Sequence, residues 1–265
     1  MSSSTFHLAA LLLYAIATAL ALLRLFLEKN GAVASAFHVS MTAALALHTA
    51  ALISHGRAVG RVPLSNQYEA LLVLSWFLVI SFLAVLVVTK IAVLSFFVTP
   101  FVLLLTAWAW FLRNEPIPTG LAAIDGRTLF VSHVLFSLLG LAGLFIGVAF
   151  SWMYEIQEMA LRNKDMGRLA RLVPSLAVCD RWSQRALTVG FVLYTFGILH
   201  AALWSYRSRG LYIGPSAKEL GSIVVWVIFA ALLQARITWG PRGRRQAILS
   251  AAGVAAIAIT LFGIA

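Results

Sequence analysis

The sequence predicts an all-α, polytopic membrane helix bundle of about eight transmembrane helices, and three observations carry that prediction. Hydrophobic residues make up 62% of the chain and charged ones 11%, against roughly 45–50% and 25% in an ordinary soluble domain. Mean hydropathy is +0.94. The apolar runs are continuous in Leu, Ala, Val and Phe and reach the ~20 residues a helix needs to cross the hydrocarbon core. They lack the period-two alternation of a membrane β-barrel, the other structure that can span. A soluble α/β enzyme, a disordered chain and a disulfide-rich secreted domain are excluded. A single cysteine, Cys179, excludes an internal disulfide, a CxxC redox pair and a CxxCH haem-attachment motif.

The predicted spans are 6–27, 33–54, 68–89, 91–112, 128–153, 186–206, 220–238 and 246–264, in one integral membrane domain covering 1–265. The first is long and has no Lys or Arg before it, which argues against a cleaved signal peptide. Before the third, Pro63 breaks the preceding helix, Ser65 or Asn66 can cap the next, and Glu69 falls in its first turn at the positive end of the helix dipole. After the fifth, residues 154–185 interleave Ile156, Met159, Leu161, Leu169 and Leu172 with basic residues. That pattern suits either an interfacial helix continuing the span or a solvated connector with a snorkelling basic face. No repeat of 20–50 residues and no inverted repeat is evident in the letters.

Orientation follows from the basic residues. Of the 20 Lys and Arg, thirteen fall in loops after odd-numbered spans, from Arg24 and Lys29 through Arg162–Arg185 to Arg236 and Arg242–Arg245. Loops after even-numbered spans hold Arg57, Arg61, Arg113, Arg127, Arg207, Arg209 and Lys218. Odd loops are therefore expected inside and both termini on the outer face. The net charge of +11 then reads as topology and lipid contact, with no nucleic-acid partner.

Ionisable residues inside a bilayer are functional hypotheses by default. Under this topology His7, His48, His55, His133 and His200 lie toward the outer half, whereas His38 lies toward the inner half and reads as structural. His48, His133 and His200 fall within roughly 10 Å of the outer boundary at about 1.5 Å per residue. Neutral imidazole ligates haem iron well, and haem propionates favour a polar interface. A lone interfacial histidine is fully accounted for by water or a backbone carbonyl; several at one depth on different helices are harder to account for that way. No HExxH pair, no GxxxxGK loop and no mid-span carboxylate occurs. A zinc protease, a P-loop enzyme and a proton-coupled transporter are correspondingly disfavoured.

The string Arg61-Val62-Pro63-Leu64-Ser65-Asn66-Gln67-Tyr68-Glu69-Ala70-Leu71 resembles the outer-face PLSNxYES segment of the cytochrome c assembly family: the haem-handling CcsA and ResC proteins with their CcmC and HemX-like relatives. The resemblance extends along most of the chain. His48, followed by Arg57 and Arg61, is similar to the family's histidine before that loop. Ser132-His133, with Ser137 and Leu138, is similar to its external haem-ligand histidine. Gly197 to Trp204, then Gly210, Tyr212, Lys218, Glu219, Ser222 and Trp226, resemble its tryptophan-rich haem-binding loop and the following helix. Arg236 and Gly243-Arg244-Arg245 resemble the LHxR and GWRGRR endings.

Departures are as informative. The family's WDPKE reads Pro215-Ser216-Ala217-Lys218-Glu219, and Arg209 and Ile213 replace two further tryptophans. Gln234 stands where a histidine is expected, and the second external histidine, beyond the last span, has no counterpart before Ala265. The pattern looks nearest to the HemX-like branch.

The resemblance implies non-covalent haem b handled at the outer face of a bacterial inner membrane, in cytochrome c biogenesis, without bond chemistry by the chain itself. Partners would be haem, cytochrome c maturation proteins or haem-biosynthesis enzymes, and the lipid bilayer. His133 and His200 would ligate the metal, and His48 would hold a second haem weakly. Trp204 and Tyr212 would stack on porphyrin or belong to the interfacial aromatic belt. Arg57, Arg61, Arg127 or Arg207 would neutralise propionates. The alternative is a HemX-like membrane regulator of haem biosynthesis that no longer binds haem.

Overall fold

The computed structural model describes residues 2–27, 30–114, 127–239 and 243–262. These form α1 Ser3–Leu23, α2 Gly31–Val59, α3 Gln67–Thr89, α4 Leu94–Phe111, α5 Arg127–Asn163, α6 Arg168–Leu172, α7 Leu176–Arg209, α8 Ala217–Trp239 and α9 Gly243–Phe262. Among the described residues, all the helices but α6 and α9 are long and apolar enough to cross a membrane. The predicted eighth span coincides with α9, whose apolar part runs Ile248–Thr260. Leu12, Ile16, Val87, Phe111, Val189 and Ile237 are exposed, a surface that lipid solvates and water does not.

Local chemistry sets the helix ends. Asn30 Oδ1 accepts from Ala32 N and Val33 N, so α2 starts at Gly31. Of the two candidate caps before α3, Asn66 is used: its Oδ1 accepts from Glu69 N at 2.9 Å. Lys90 turns left-handed (φ 58°) to close α3, which delays α4 to Leu94. The largest difference from the sequence-based expectation lies in 154–185. α5 continues ten residues past its predicted end and α7 starts ten before its own. Hydropathy ends a span where charge begins, but no Gly or Pro interrupts 154–163, so the helix runs on as an amphipathic extension. Left-handed Lys164 (φ 53°), Gly167 and Pro174 are the actual punctuation.

The chain folds as two compact units, Met1–Pro118 and Thr119–Ala265. In the first, α1 packs on α2 and α4, and α3 on α4 and α2. Its interior includes Ala10, Tyr14, Ala17 and Ala21 of α1 with Phe37, Met41, Ala44, His48 and Ala51 of α2.

In the second, α5 packs on α7 and α9, and α8 on α9 and α7. The α5–α7 seam is a glycine zipper. A Cβ on Gly140 would lie 2.5 Å from Tyr194 N, and one on Gly190 would lie 2.5 Å from Leu144 N. Backbone cannot yield as a side-chain tip can, so Gly190→Ala is expected to cost about 3 kcal/mol, the upper end for overpacking. The readout is the thermal midpoint in detergent; an unchanged midpoint would show that the helices can part without penalty. At the other end of this unit, buried Arg236 of α8 donates to the Asp180 carboxylate and to Ser183 Oγ at 2.5 Å. Ser183 Oγ in turn donates to Gly147 O at 2.9 Å, so three helices share one polar knot.

Taken separately, the two units are built alike. The buried residues Ser183, Leu187, Gly190, Tyr194 and Gly197 of α7 repeat the spacing of Phe37, Met41, Ala44, His48 and Ala51 in α2. Any core-facing helix gives such spacing, so the register must come from specific features. Trp76 Nε1 donates to Thr49 Oγ1 at 2.9 Å, and Trp226 Nε1 to Thr195 Oγ1 at 3.0 Å. The second long helix of each unit, α2 or α7, ends on a left-handed glycine, Gly60 (φ 68°) or Gly210 (φ 72°). These glycines stand equally far before Glu69 and Glu219, whose bonds are also alike. In this register His48 corresponds to Tyr194, and Tyr14, which meets His48, corresponds to Gly140, which meets Tyr194. Counting back along the first helix of each unit, His7 corresponds to His133. The repeat runs in one direction and is far longer than 50 residues. Its key letters differ between the two units, which is why the sequence hides it.

Candidate ligand cavity

The second unit holds a cavity of about 290 Å³ among α5, α7, α8 and α9. Leu138, Leu141, Ile198, Val225 and Ile257 supply aliphatic wall; His133, Trp204, Arg209, Lys218 and Glu219 supply ring nitrogens and charge, and the hydroxyl groups of Ser137, Tyr194, Ser205, Tyr212, Ser222 and Thr260 complete the polar lining. Concave pockets with apolar walls and convergent polar groups are the usual form of a small-molecule site.

His133 sits two turns inside α5. Its Nδ1–H donates to the Gly197 carbonyl at 2.9 Å, and Ser137 Oγ lies 3.3 Å from the same nitrogen. A carbonyl can only accept, so this bond places the proton on Nδ1 and leaves Nε2 with its lone pair. That is the arrangement in which metal-ligating histidines are commonly held. Gly197 is required for the approach: a Cβ there would collide with Ser137 Oγ and sit 2.8 Å from Ser137 N. Trp204 packs on Phe130 (centroids 5.2 Å apart), and its buried Nε1–H has no partner among the described residues. Tyr212 stacks on Tyr206 at 4.4 Å and 9°.

The loop over this end is clamped by Glu219. Its Oε1 accepts from Arg209 Nη2 at 2.5 Å, its Oε2 from Gly214 N at 2.5 Å, and its own N–H is capped by Ser216 Oγ at 3.2 Å. The first unit repeats the device. Glu69 accepts from Arg61 at 2.8 and 3.0 Å, from Ser65 N at 2.6 Å and bonds His55 Nε2 at 3.0 Å. Here the clamp is sunk: the Glu69 side chain is 0% exposed, against 29% for Glu219.

Of the five predicted site residues, His133, Trp204 and Tyr212 line this cavity. His200 does not; it lies beside Phe136 at 5.4 Å and gives its Nδ1–H to Phe196 O of its own helix at 2.7 Å. His48 belongs to the first unit, with Nδ1 3.2 Å from Tyr14 Oη. Gln234 is exposed and bonded to Thr238. Arg61 is committed to Glu69, Arg57 and Arg207 are exposed, and the Arg127 side chain and residues 240–242 lie outside the described residues. Sequence alone marks Ser137, Gly197, Lys218 and Glu219 but gives them no role at the site, and it does not single out Tyr14 or Tyr194. Tyr14 does carry a signal: a tyrosine in an apolar run, two helical turns after His7 on one face. Among the described residues no three metal-donor side chains cluster.

Known proteins share this architecture. The family model for cytochrome C assembly protein matches residues 64–265. The chain is 28% identical over 243 residues to the cytochrome c biogenesis protein CcsA of Prochlorococcus marinus strain MIT 9303, covering 82% of this chain and 76% of that one. It is 27% identical over 224 residues to CcsA of Mesostigma viride, covering 76% and 73%. The solved structure of the cytochrome c heme lyase CcmF matches with a TM-score of 0.73 at 15% identity. That match covers 99% of this chain but 47% of the other, so this chain spans about half the length of that protein.

Proposed function

Because the chain belongs to the cytochrome c assembly protein family, we propose that it holds haem b non-covalently in the cavity of its second unit. In this reading it presents haem at the outer face of a bacterial inner membrane for cytochrome c maturation, to partner proteins that carry out attachment. The observation that supports this most is His133: an imidazole whose Nδ1–H bonds Gly197 O, which leaves the lone pair on Nε2, in a residue that lines the cavity. The other polar groups suit the same guest. Trp204 Nε1–H can donate to a propionate, Lys218 supplies a cation at the mouth, and Tyr212 offers a flat face. Bound haem would supply the iron that imidazole ligates; the chain's part is to orient it and exclude water. Glu219 holds the loop over the cavity in place.

The test is the visible spectrum of protein purified in detergent from haem-replete cells. A Soret band that survives washing is expected. Colourless protein would overturn the reading and favour the HemX-like regulator that no longer binds haem, for which the outward-facing Gln234 speaks.

A further inference from the structure

The two loop clamps differ in how they use their arginine. In the first unit both terminal nitrogens are spent: Arg61 Nη1 and Nη2 donate to Glu69 at 2.8 and 3.0 Å, and Nη1 also reaches Val62 O at 3.1 Å. In the second, both bonds of Arg209 leave from Nη2, to Glu219 Oε1 at 2.5 Å and to Ser205 Oγ at 2.8 Å. Nη1 and Nε donate to nothing among the described residues. The Arg61 side chain is 12% exposed and that of Arg209 42%. Holding a loop does not call for spare donors, as Arg61 shows.

Arg209 also lines the ligand cavity, as do its two partners Ser205 and Glu219. Its position is built. Buried Ser205 accepts from Nη2 and donates its own hydroxyl to Leu211 O at 2.5 Å. A Cβ on Gly214 would lie 2.9 Å from Arg209 Nη1, so glycine is what lets the loop come this close. Two further donors share the cavity. Trp204 Nε1–H is buried with no partner among the described residues. Lys218 is exposed and forms no ion pair among them. Against these three donors the lining holds one carboxylate, Glu219.

We infer that Arg209 makes the cavity selective for guests that carry free carboxylates, and that a guest carboxylate competes with Glu219 for its guanidinium. On the haem reading of the same cavity, on which this inference rests, the free-acid porphyrin is held in preference to its neutral diester. Arginine grips a carboxylate through two parallel N–H donors, and Arg209 has such donors to spare. A methyl ester keeps the size of the acid and loses the charge, and a site built to bond a polar group rejects the analogue that lacks it. Glu219 meets Arg209 through one oxygen and is 29% exposed, so water can receive that oxygen when a guest takes its place.

The experiment titrates the full chain in detergent with iron protoporphyrin IX and, separately, with its dimethyl ester, following the Soret shift to obtain a Kd for each. The readout is the ratio of the two, ester over acid, which a general loss of folding or of iron ligation leaves unchanged. Wild-type protein should favour the acid by about tenfold, the scale of one charge-assisted hydrogen bond. Arg209→Gln should cut that preference to about twofold, and Glu219→Gln should raise it by about threefold, as a part-exposed pair allows. Both substitutions break the same ion pair, so a purely structural role moves the two ratios together, whereas charge recognition moves them in opposite directions. Ratios that move together or stay put overturn the inference. Equal binding of both porphyrins, with a shift lost in His133→Ala, overturns it while the haem reading stands. Binding of neither porphyrin overturns both.

Discussion

His133→Ala is expected to empty the cavity of haem, lowering the amount retained per protein after washing by well over tenfold, each tenfold being about 1.4 kcal/mol. The effect should be large because His133 is the sole histidine among the cavity's lining residues. Gly197→Ala should have an intermediate effect: its Cβ collides with Ser137, which displaces the carbonyl that orients the ring. His200→Ala should leave retention within about twofold, since its imidazole is turned away and bonded to its own helix, and a surface change of that kind is worth under about 0.5 kcal/mol. Visible spectra of the three variants, normalised to protein, make the comparison. Equal losses from His133→Ala and His200→Ala would restore the histidine pair that the sequence suggested and contradict the cavity's geometry.

Glu69→Ala is expected to be the most destabilising single change at the loops, at about 3–5 kcal/mol. It removes the carboxylate that holds Arg61, His55 and Ser65 N–H, and leaves the Arg61 guanidinium only 12% exposed and uncompensated. The corresponding Glu219→Ala should cost about 1 kcal/mol or less, because its Arg209 partner is 42% exposed and can turn to water. The pair is informative because the two carboxylates hold matching positions in matching units, while Glu69 is deeper and has His55 as an additional partner. Thermal or denaturant unfolding in one detergent would measure both. A Glu219 variant as damaged as the Glu69 variant would show that the clamp acts through loop geometry and not through burial of charge.

Most of the architecture was legible because hydropathy depends on nothing but local composition. Six predicted spans fall close to observed helices, and the two that ran short did so where a more polar helical extension adjoins an apolar run, after it in α5 and before it in α7. His133 could be picked out by its depth, and Trp204 and Tyr212 by the resemblance of their segment to the family's tryptophan-rich loop; all three line the cavity. His200 shows the limit. Depth along a helix placed it beside His133, but the face it presents depends on which helices pack against α7. The Gly140–Tyr194 and Gly190–Leu144 contacts fix that face. The repeat was hidden for a related reason. Its signature is a set of contacts, Trp76–Thr49 with Trp226–Thr195 and Arg61–Glu69 with Arg209–Glu219, in which the partners sit at different sequence separations in each unit.

The glycine zipper between α5 and α7 has a mechanical consequence. These helices are 37 and 34 residues long, roughly 55 and 50 Å of rod, and their backbones touch along the middle. Two rods joined at such close range resist bending individually and move as one strut. His133 stands near one end of that strut, and Asp180 and Ser183, which grip Arg236, stand toward the other. A guest that wedges α5 from α7 at the cavity cannot be absorbed by local flexing. It must tilt or slide the strut as a body, delivering the displacement to the grip on α8 at its far end.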